Sequence, residues 1–194
     1  MEILRFKKAN CKNCYKCIRE CPIKAIRFED HQAQIIADEC ILCGNCVRVC
    51  PQNAKQVRDD TQIVKDYLAQ GKKVIVSLAP SYVAAFQIKS LPPLAAALKK
   101  LGVYDVRETA VGANMVKQEY ERLVDEKMPV IISTCCHSVI KLVQKYYVDC
   151  IPYLAPVISP MHAHANLIKE QDPDAVVVFI SPCISKKDEV DQYC

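Results

Sequence analysis

Eight of the chain's thirteen cysteines fall between Cys11 and Cys50, in two runs whose spacing suits metal chemistry. Cys11, Cys14, Cys17 and Cys21, followed by Pro22, recur as Cys40, Cys43, Cys46 and Cys50, followed by Pro51, with an offset of 29 residues at every position. Two residues between successive cysteines let one loop present three thiolates to a compact [4Fe-4S] cubane, and the Cys-Pro that closes the run aims its sulfur at the cluster of the other run. Crossing the fourth ligands assigns Cys11, Cys14, Cys17 and Cys50 to one cluster, and Cys40, Cys43, Cys46 and Cys21 to the other. No cysteine of the eight is left over. Two zinc sites would instead show paired cysteines separated by a longer loop. A disulfide framework suits small secreted domains, but thirteen is odd and residues 1–10 contain no apolar stretch of signal-peptide length.

The elements that must position these thiols are short. Ile3–Lys7 reads as an opening strand, and Ile26–Phe28 with Gln34–Ala37 as a hairpin around a polar turn at Glu29–His31. A segment this small depends on metal for its stability. After Cys50 cysteine is absent for 84 residues and the texture changes from about Asp59, giving two expected domains, 1–58 and 59–194. In the second, helices are predicted over 61–68, 92–101, 114–127, 136–148 and 160–171. Strands are predicted at Lys73–Leu78, Val103–Thr109, Pro129–Thr134 and Ala175–Ser181. Such alternation predicts a parallel sheet covered on both faces. Ile151–Ile168 is apolar, but Pro152, Pro156 and Pro160 argue for an extended connector and against a membrane span.

Cysteine returns as Cys135-Cys136, between a predicted strand and a predicted helix, and as Cys183 just past the last predicted strand. Parallel sheets place ligand crevices at the carboxyl ends of their strands, and a helix amino terminus favours a thiolate. Three thiols are therefore expected at one crevice; the plain alternative is that they are buried as small apolar residues.

Over 1–58 the residues resemble the bacterial two-cluster ferredoxins, including the Ala25-Ile26 step after the first Cys-Pro. Beyond them, Ser133-Thr134-Cys135-Cys136-His137-Ser138-Val139 and Ser181-Pro182-Cys183-Ile184-Ser185-Lys186-Lys187-Asp188-Glu189 resemble two motifs of the iron-only, or [FeFe], hydrogenases. Those motifs are Thr-Ser-Cys-Cys-Pro-x-Trp and Met-Pro-Cys-x-x-Lys-x-x-Glu. The resemblance implies an α+β ferredoxin-like two-cluster domain followed by an α/β domain with a mainly parallel sheet, the first lobe of an iron-hydrogenase-like fold. It further implies that Cys136 and Cys183 ligate an active-site cubane and that Cys135 relays protons beside a binuclear iron unit. Lys186 would donate to that unit's diatomic ligands and Glu189 would support Lys186. Glu119 aligns with an acidic proton-path residue or lies on a solvated helix face. His137 and Val139 replace the family's proline and tryptophan, which brings the chain closer to the divergent, sensory group; His137 either donates to the site or holds the helix start. The family's third motif has no match after Cys183, so the chain is expected to be the amino-terminal part of a longer protein. Cys150 and Cys194 receive no role.

The expected function is an iron-sulfur redox protein that passes electrons through two [4Fe-4S] clusters to or from a hydrogenase-like site acting on H2 and protons. The alternatives are a non-catalytic redox or H2 sensor of the same fold, and a ferredoxin-like electron carrier with a docking domain. The full-length protein would carry a further [4Fe-4S] cluster with a binuclear iron unit, and a redox protein would be the partner. A charge balance of 26 Lys and Arg against 22 Asp and Glu is too mild to argue for nucleic acid. Oxygen-labile cofactors and the lack of a signal segment suggest the cytoplasm of an anaerobe.

Overall fold

The backbone of the two cysteine runs repeats itself. In the computed structural model, which describes residues 3–7 and 10–193, Asn13, Tyr15 and Lys24 take φ of 56°, 59° and 58°. The residues 29 positions on, Leu42, Gly44 and Asn53, take 55°, 77° and 49°. Left-handed backbone is costly for most residues with a Cβ, such as Tyr15, Lys24 and Leu42, and least so for asparagine. Five non-glycine residues holding it at matched positions show that the loops are shaped by what they must present, against local preference.

In chain order the described residues form β1 (Leu4–Phe6), α1 (Lys16–Glu20), β2 (Ile26–Glu29), β3 (Gln32–Ile35), α2 (Asn45–Arg48), β4 (Lys55–Val57), α3 (Thr61–Ala69), β5 (Val74–Leu78) and α4 (Tyr82–Phe86). They continue with α5 (Pro92–Lys100), β6 (Asp105–Glu108), α6 (Ala110–Asp125), α7 (His137–Tyr146), a 3-10 helix (Val148–Tyr153), α8 (Pro160–Gln171), β7 (Val176–Ile180) and α9 (Ser185–Tyr193). They gather into two compact units. One comprises Met1–Asp59, His137–Ile151 and Cys183–Cys194, the other Asp60–Cys136 and Pro152–Pro182.

In the first unit β1 pairs antiparallel with β4, and β2 with β3. The β2-β3 hairpin closes tightly over Asp30 and His31, both at positive φ, as a two-residue loop with right-handed strand twist demands. Its small core consists of Leu4, Ala25, Ile26 and Ala33 together with Cys17, Cys21 and Cys46, so thiols make up part of the apolar packing. Two later helices join this unit. The Lys145 ammonium on α7 donates to the carbonyls of Ala37, Asp38 and Cys40 at 3.3, 2.6 and 3.1 Å, and Tyr146 donates to the Glu39 carbonyl at 2.8 Å. On the α9 side, Ile184 packs on the core and Asp191 pairs with Arg58.

The second unit is built on a parallel sheet of order β6-β5-β7 among the described residues. All five residues of β5 are buried, and the strand's alternation sends them to two faces. Val74, Val76 and Leu78 pack with Leu68, Leu94 and Leu98 from α3 and α5, while Ile75 packs with Ile168 of α8 and with Ala175. Helices α6 and α8 approach so closely that a Cβ on Gly112 would stand 2.3 Å from the Pro160 carbonyl oxygen.

Several expectations are corrected. Pro129–Thr134 is not a sheet strand; it makes one parallel bridge, Ile132 to Leu154. The Ile132 N–H donates to the Tyr153 carbonyl and the Ala155 N–H to the Ile132 carbonyl. Leu154 lies between Pro152 and Pro156, which lack the N–H groups that would carry a ladder further. The presumed connector begins as a 3-10 helix through Tyr153, and α6 starts at Ala110, four residues before its predicted start. Among the described residues no helix is long and apolar enough to cross a membrane.

Candidate metal centres

Two cavities in the first unit are ringed by thiols. One is lined by Cys11, Cys14, Cys17 and Cys50, with Phe6, Tyr15 and Lys55 among its walls. The other is lined by Cys21, Cys40, Cys43 and Cys46, with Ile26 and Ile35. Each ring takes three thiols from one run and the fourth from the other. The local reason is visible at Cys21, which ends α1 in an extended conformation, so that the chain turns away from the loop that holds its three predecessors.

Backbone donors address the sulfurs: the Leu42 N–H lies 3.4 Å from Cys40 Sγ and the Ala54 N–H 3.3 Å from Cys50 Sγ. Such bonds favour anionic sulfur. Burial acts the other way, pushing the Cys46 thiol up to about 11 and raising those of Cys17 and Cys40. Without a metal these three groups therefore hold their protons at neutral pH, and metal binding must displace them.

Lys55 tests whether an anionic group belongs here. Its side chain is buried, its Nζ has no hydrogen-bond partner among the described residues, and it lies over the Phe6 ring, whose centroid is 3.6 Å away. A buried ammonium is destabilising unless an anion offsets its lost hydration. Thiolates gathered round a metal cluster supply that anion. Among the described residues no three His, Cys, Asp or Glu side chains converge tightly enough to hold a single metal ion; the thiols ring cavities instead. Four thiols round each cavity are the donor set that a [4Fe-4S] cluster takes.

The later thiols occupy separate units. In the second unit Tyr120 on α6 organises the segment before α7: its hydroxyl lies 2.8 Å from the Thr134 N–H, 3.0 Å from Thr134 Oγ1 and 3.9 Å from Cys135 Sγ. Thr134 Oγ1 in turn donates to the Val157 carbonyl at 2.6 Å. Cys135 is half-buried and Cys136 exposed. Nothing in the spacing of the sequence marks Tyr120. Its neighbour Glu119 is exposed and paired with Arg122 at 3.2 Å, a solvated helix face.

In the first unit Cys183 is exposed, with its Sγ 3.2 Å from Ser185 Oγ at the start of α9. In the first turn of α9, Lys186 pairs with the buried carboxylate of Glu189. His137, almost wholly buried at the start of α7, places Nε2 2.7 Å from Asp188 Oδ2, and Lys141 Nζ lies 2.7 Å from the same oxygen. Its Nδ1 has no hydrogen-bond partner among the described residues. Cys150 is half-buried, and Cys194 lies outside the described residues.

Two cysteine-ringed cavities in a unit of short paired strands define an iron-sulfur redox protein, and residues 3–67 match the 4Fe-4S dicluster domain. Residues 72–193, more than half of the chain, match the C-terminal domain of the iron only hydrogenase large subunit. The chain belongs to that family and carries an amino-terminal 4Fe-4S dicluster domain.

Proposed function

We propose that this chain passes electrons through two [4Fe-4S] clusters, held by Cys11, Cys14, Cys17 and Cys50 and by Cys40, Cys43, Cys46 and Cys21, to or from a hydrogenase-like site. The observation that carries the reading is the pair of cavities, each ringed by four thiols in the crossed pattern. When bound, the clusters supply one-electron transfer. The protein's part is to present eight thiols on loops that include left-handed residues, to aim N–H groups at sulfur, and to pack Cys17, Cys21 and Cys46 among apolar side chains. Residues 1–58 form the electron-transfer module and 59–194 the hydrogenase-like part. A redox protein is the partner, and the location is the cytoplasm of an anaerobe.

In the hydrogenase-like part, Cys136 and Cys183 act as cofactor ligands, with Cys135, Lys186 and Glu189 as the catalytic set. A further [4Fe-4S] cluster with a binuclear iron unit is the group they would hold. Glu189 orients the Lys186 ammonium through the ion pair they share. The chemistry served is the interconversion of H2 with protons and electrons.

A sensory role is the second reading. It is favoured by His137, which stands where the family motif has proline and is held by Asp188 in a built, buried contact. Anaerobic reconstitution with iron and sulfide should give about eight iron per chain, and fewer than about six would remove the paired assignment. To separate enzyme from sensor, the complete gene product, matured with the binuclear cofactor, is assayed for H2 uptake. Turnover above that of a Cys135→Ala variant supports the enzyme; equal turnover supports the sensor.

A further inference from the structure

The 29-residue repeat that aligns every cysteine also aligns Ile26 with Lys55. The two are structural counterparts: each follows a nearly inaccessible alanine, Ala25 or Ala54, and each opens a short strand, β2 or β4. Ile26 lines the second cysteine-ringed cavity and Lys55 the first. A position that is apolar beside one ring is thus a cation beside the other.

Lys55 is shut away from solvent. Its side chain is buried, no hydrogen-bond acceptor reaches its Nζ among the described residues, and the Phe6 ring covers it. No carboxylate among the described residues lines either cavity, and no charged side chain lines the second. Lys16, the other cation on the first cavity, is exposed and therefore screened by water. Lys145, whose Nζ reaches the carbonyl of the second ring's Cys40, is tied to three carbonyl oxygens. A cation shielded from water acts more strongly on charge that develops beside it than a solvated one does.

We propose that Lys55 makes the two cluster sites electrically unequal, giving the cluster ringed by Cys11, Cys14, Cys17 and Cys50 the higher reduction potential. The inference rests on the two-cluster reading above. Adding an electron makes a cluster more negative, so a fixed cation beside it stabilises the reduced form, and net charge is one of the levers that set cluster potentials. The field of Lys55 reaches both rings, opposing the effect of burial on Cys17 in the first and Cys46 in the second. Both potentials are raised, but the first more, because Lys55 forms part of that cavity's wall alone. An electron arriving at the second cluster then moves downhill to the first, leaving the second oxidised and the first reduced.

The test is a redox titration, followed by electron paramagnetic resonance, of the anaerobically reconstituted chain and its Lys55→Met, Lys55→Arg and Lys16→Met variants. Wild type should show two separated one-electron potentials. Lys55→Met should lower the higher one by at least tenfold in its reduction equilibrium, about 59 mV, and shift the lower one less. Lys55→Arg should keep the separation, as should Lys16→Met. Lys55→Ile, which copies Ile26, serves as the second neutral variant if Lys55→Met loses iron. Equal potentials in wild type, a separation that survives loss of the charge, or one lost equally in Lys55→Arg would overturn the inference. A wild-type chain that binds fewer than about six iron would instead overturn the two-cluster reading beneath it.

Discussion

His137 Nε2 lies 2.7 Å from Asp188 Oδ2, so the residue after the Cys135-Cys136 pair is joined to the residue before Glu189. The contact fastens α7 to α9 within the first unit. Burial alone would raise the Asp188 pKa, but hydrogen bonds from Lys141 and His137 outweigh it and hold the carboxyl below its usual range. His137→Ala should therefore lower stability at neutral pH by about 1.5–3 kcal/mol, the range for a hydrogen bond to a charged partner. A double-mutant cycle with Asp188→Asn should return a coupling of about 0.5–3 kcal/mol. Additive losses in chemical denaturation would show that the contact carries no energy.

Gly44 makes a second local prediction. Its φ of 77° is left-handed, and a Cβ there would stand 2.9 Å from Ile184 Cδ1. The contact is with the flexible end of a side chain, whereas the backbone conformation is fixed by the loop. Gly44→Ala should thus cost about 1–2 kcal/mol from backbone strain and weaken iron retention. Adding Ile184→Val, which removes Cδ1, should recover little of it. Full recovery in thermal melts would place the whole cost in the side-chain contact.

What could be read from the sequence was whatever local chemistry decides. The repeat of Cys11–Cys21 in Cys40–Cys50 required only counting, and α8 occupies its predicted span, 160–171, because Pro160 at its first turn and the Ser159 cap act locally. The strand expected at 129–134 failed because its partner is flanked by prolines far along the chain, which periodicity cannot register. Tyr120 was illegible for a similar reason, since its role exists only once α6 lies beside Thr134. Lys55 sits in a three-residue strand where a lysine ordinarily faces water. The helix α9 was not expected, because SKKDEVDQY has a weak apolar stripe and is held by Asp188, Asp191 and Ile184.

The crossed rings can be separated by combining substitutions. If Cys21 serves the ring of Cys40, Cys43 and Cys46, then Cys21→Ser should cost about four of about eight iron. Adding Cys43→Ser should remove no more, because both act on one cluster. Adding Cys14→Ser to Cys21→Ser should empty both sites. An uncrossed arrangement makes the opposite forecast, with Cys21 and Cys14 sharing a cluster and Cys21 and Cys43 acting on different ones. Iron and sulfide counts on the single and paired variants decide between them.

In the second unit, a buried polar chain ties the sheet to its covering helices. Ser77 Oγ on β5 lies 2.8 Å from Thr109 Oγ1 and 2.8 Å from His164 Nδ1 on α8, all three side chains being buried. Burial lowers the His164 pKa, with the Arg107 charge adding to the effect. The unfolded chain takes up a proton at about pH 6.5, whereas the folded chain resists it until its own lower value is reached. Between those two values the unfolded state binds more protons, so stability falls with falling pH. Above the unfolded value the contribution is fully present, and below the folded value no more is lost. The melting temperature should therefore drop from about pH 7.5 to about pH 5.5, and His164→Asn, which keeps a polar partner for Ser77 without a titrating ring, should drop less. An equal fall in the two proteins would assign the acid sensitivity to other groups and leave His164 as a neutral packing residue.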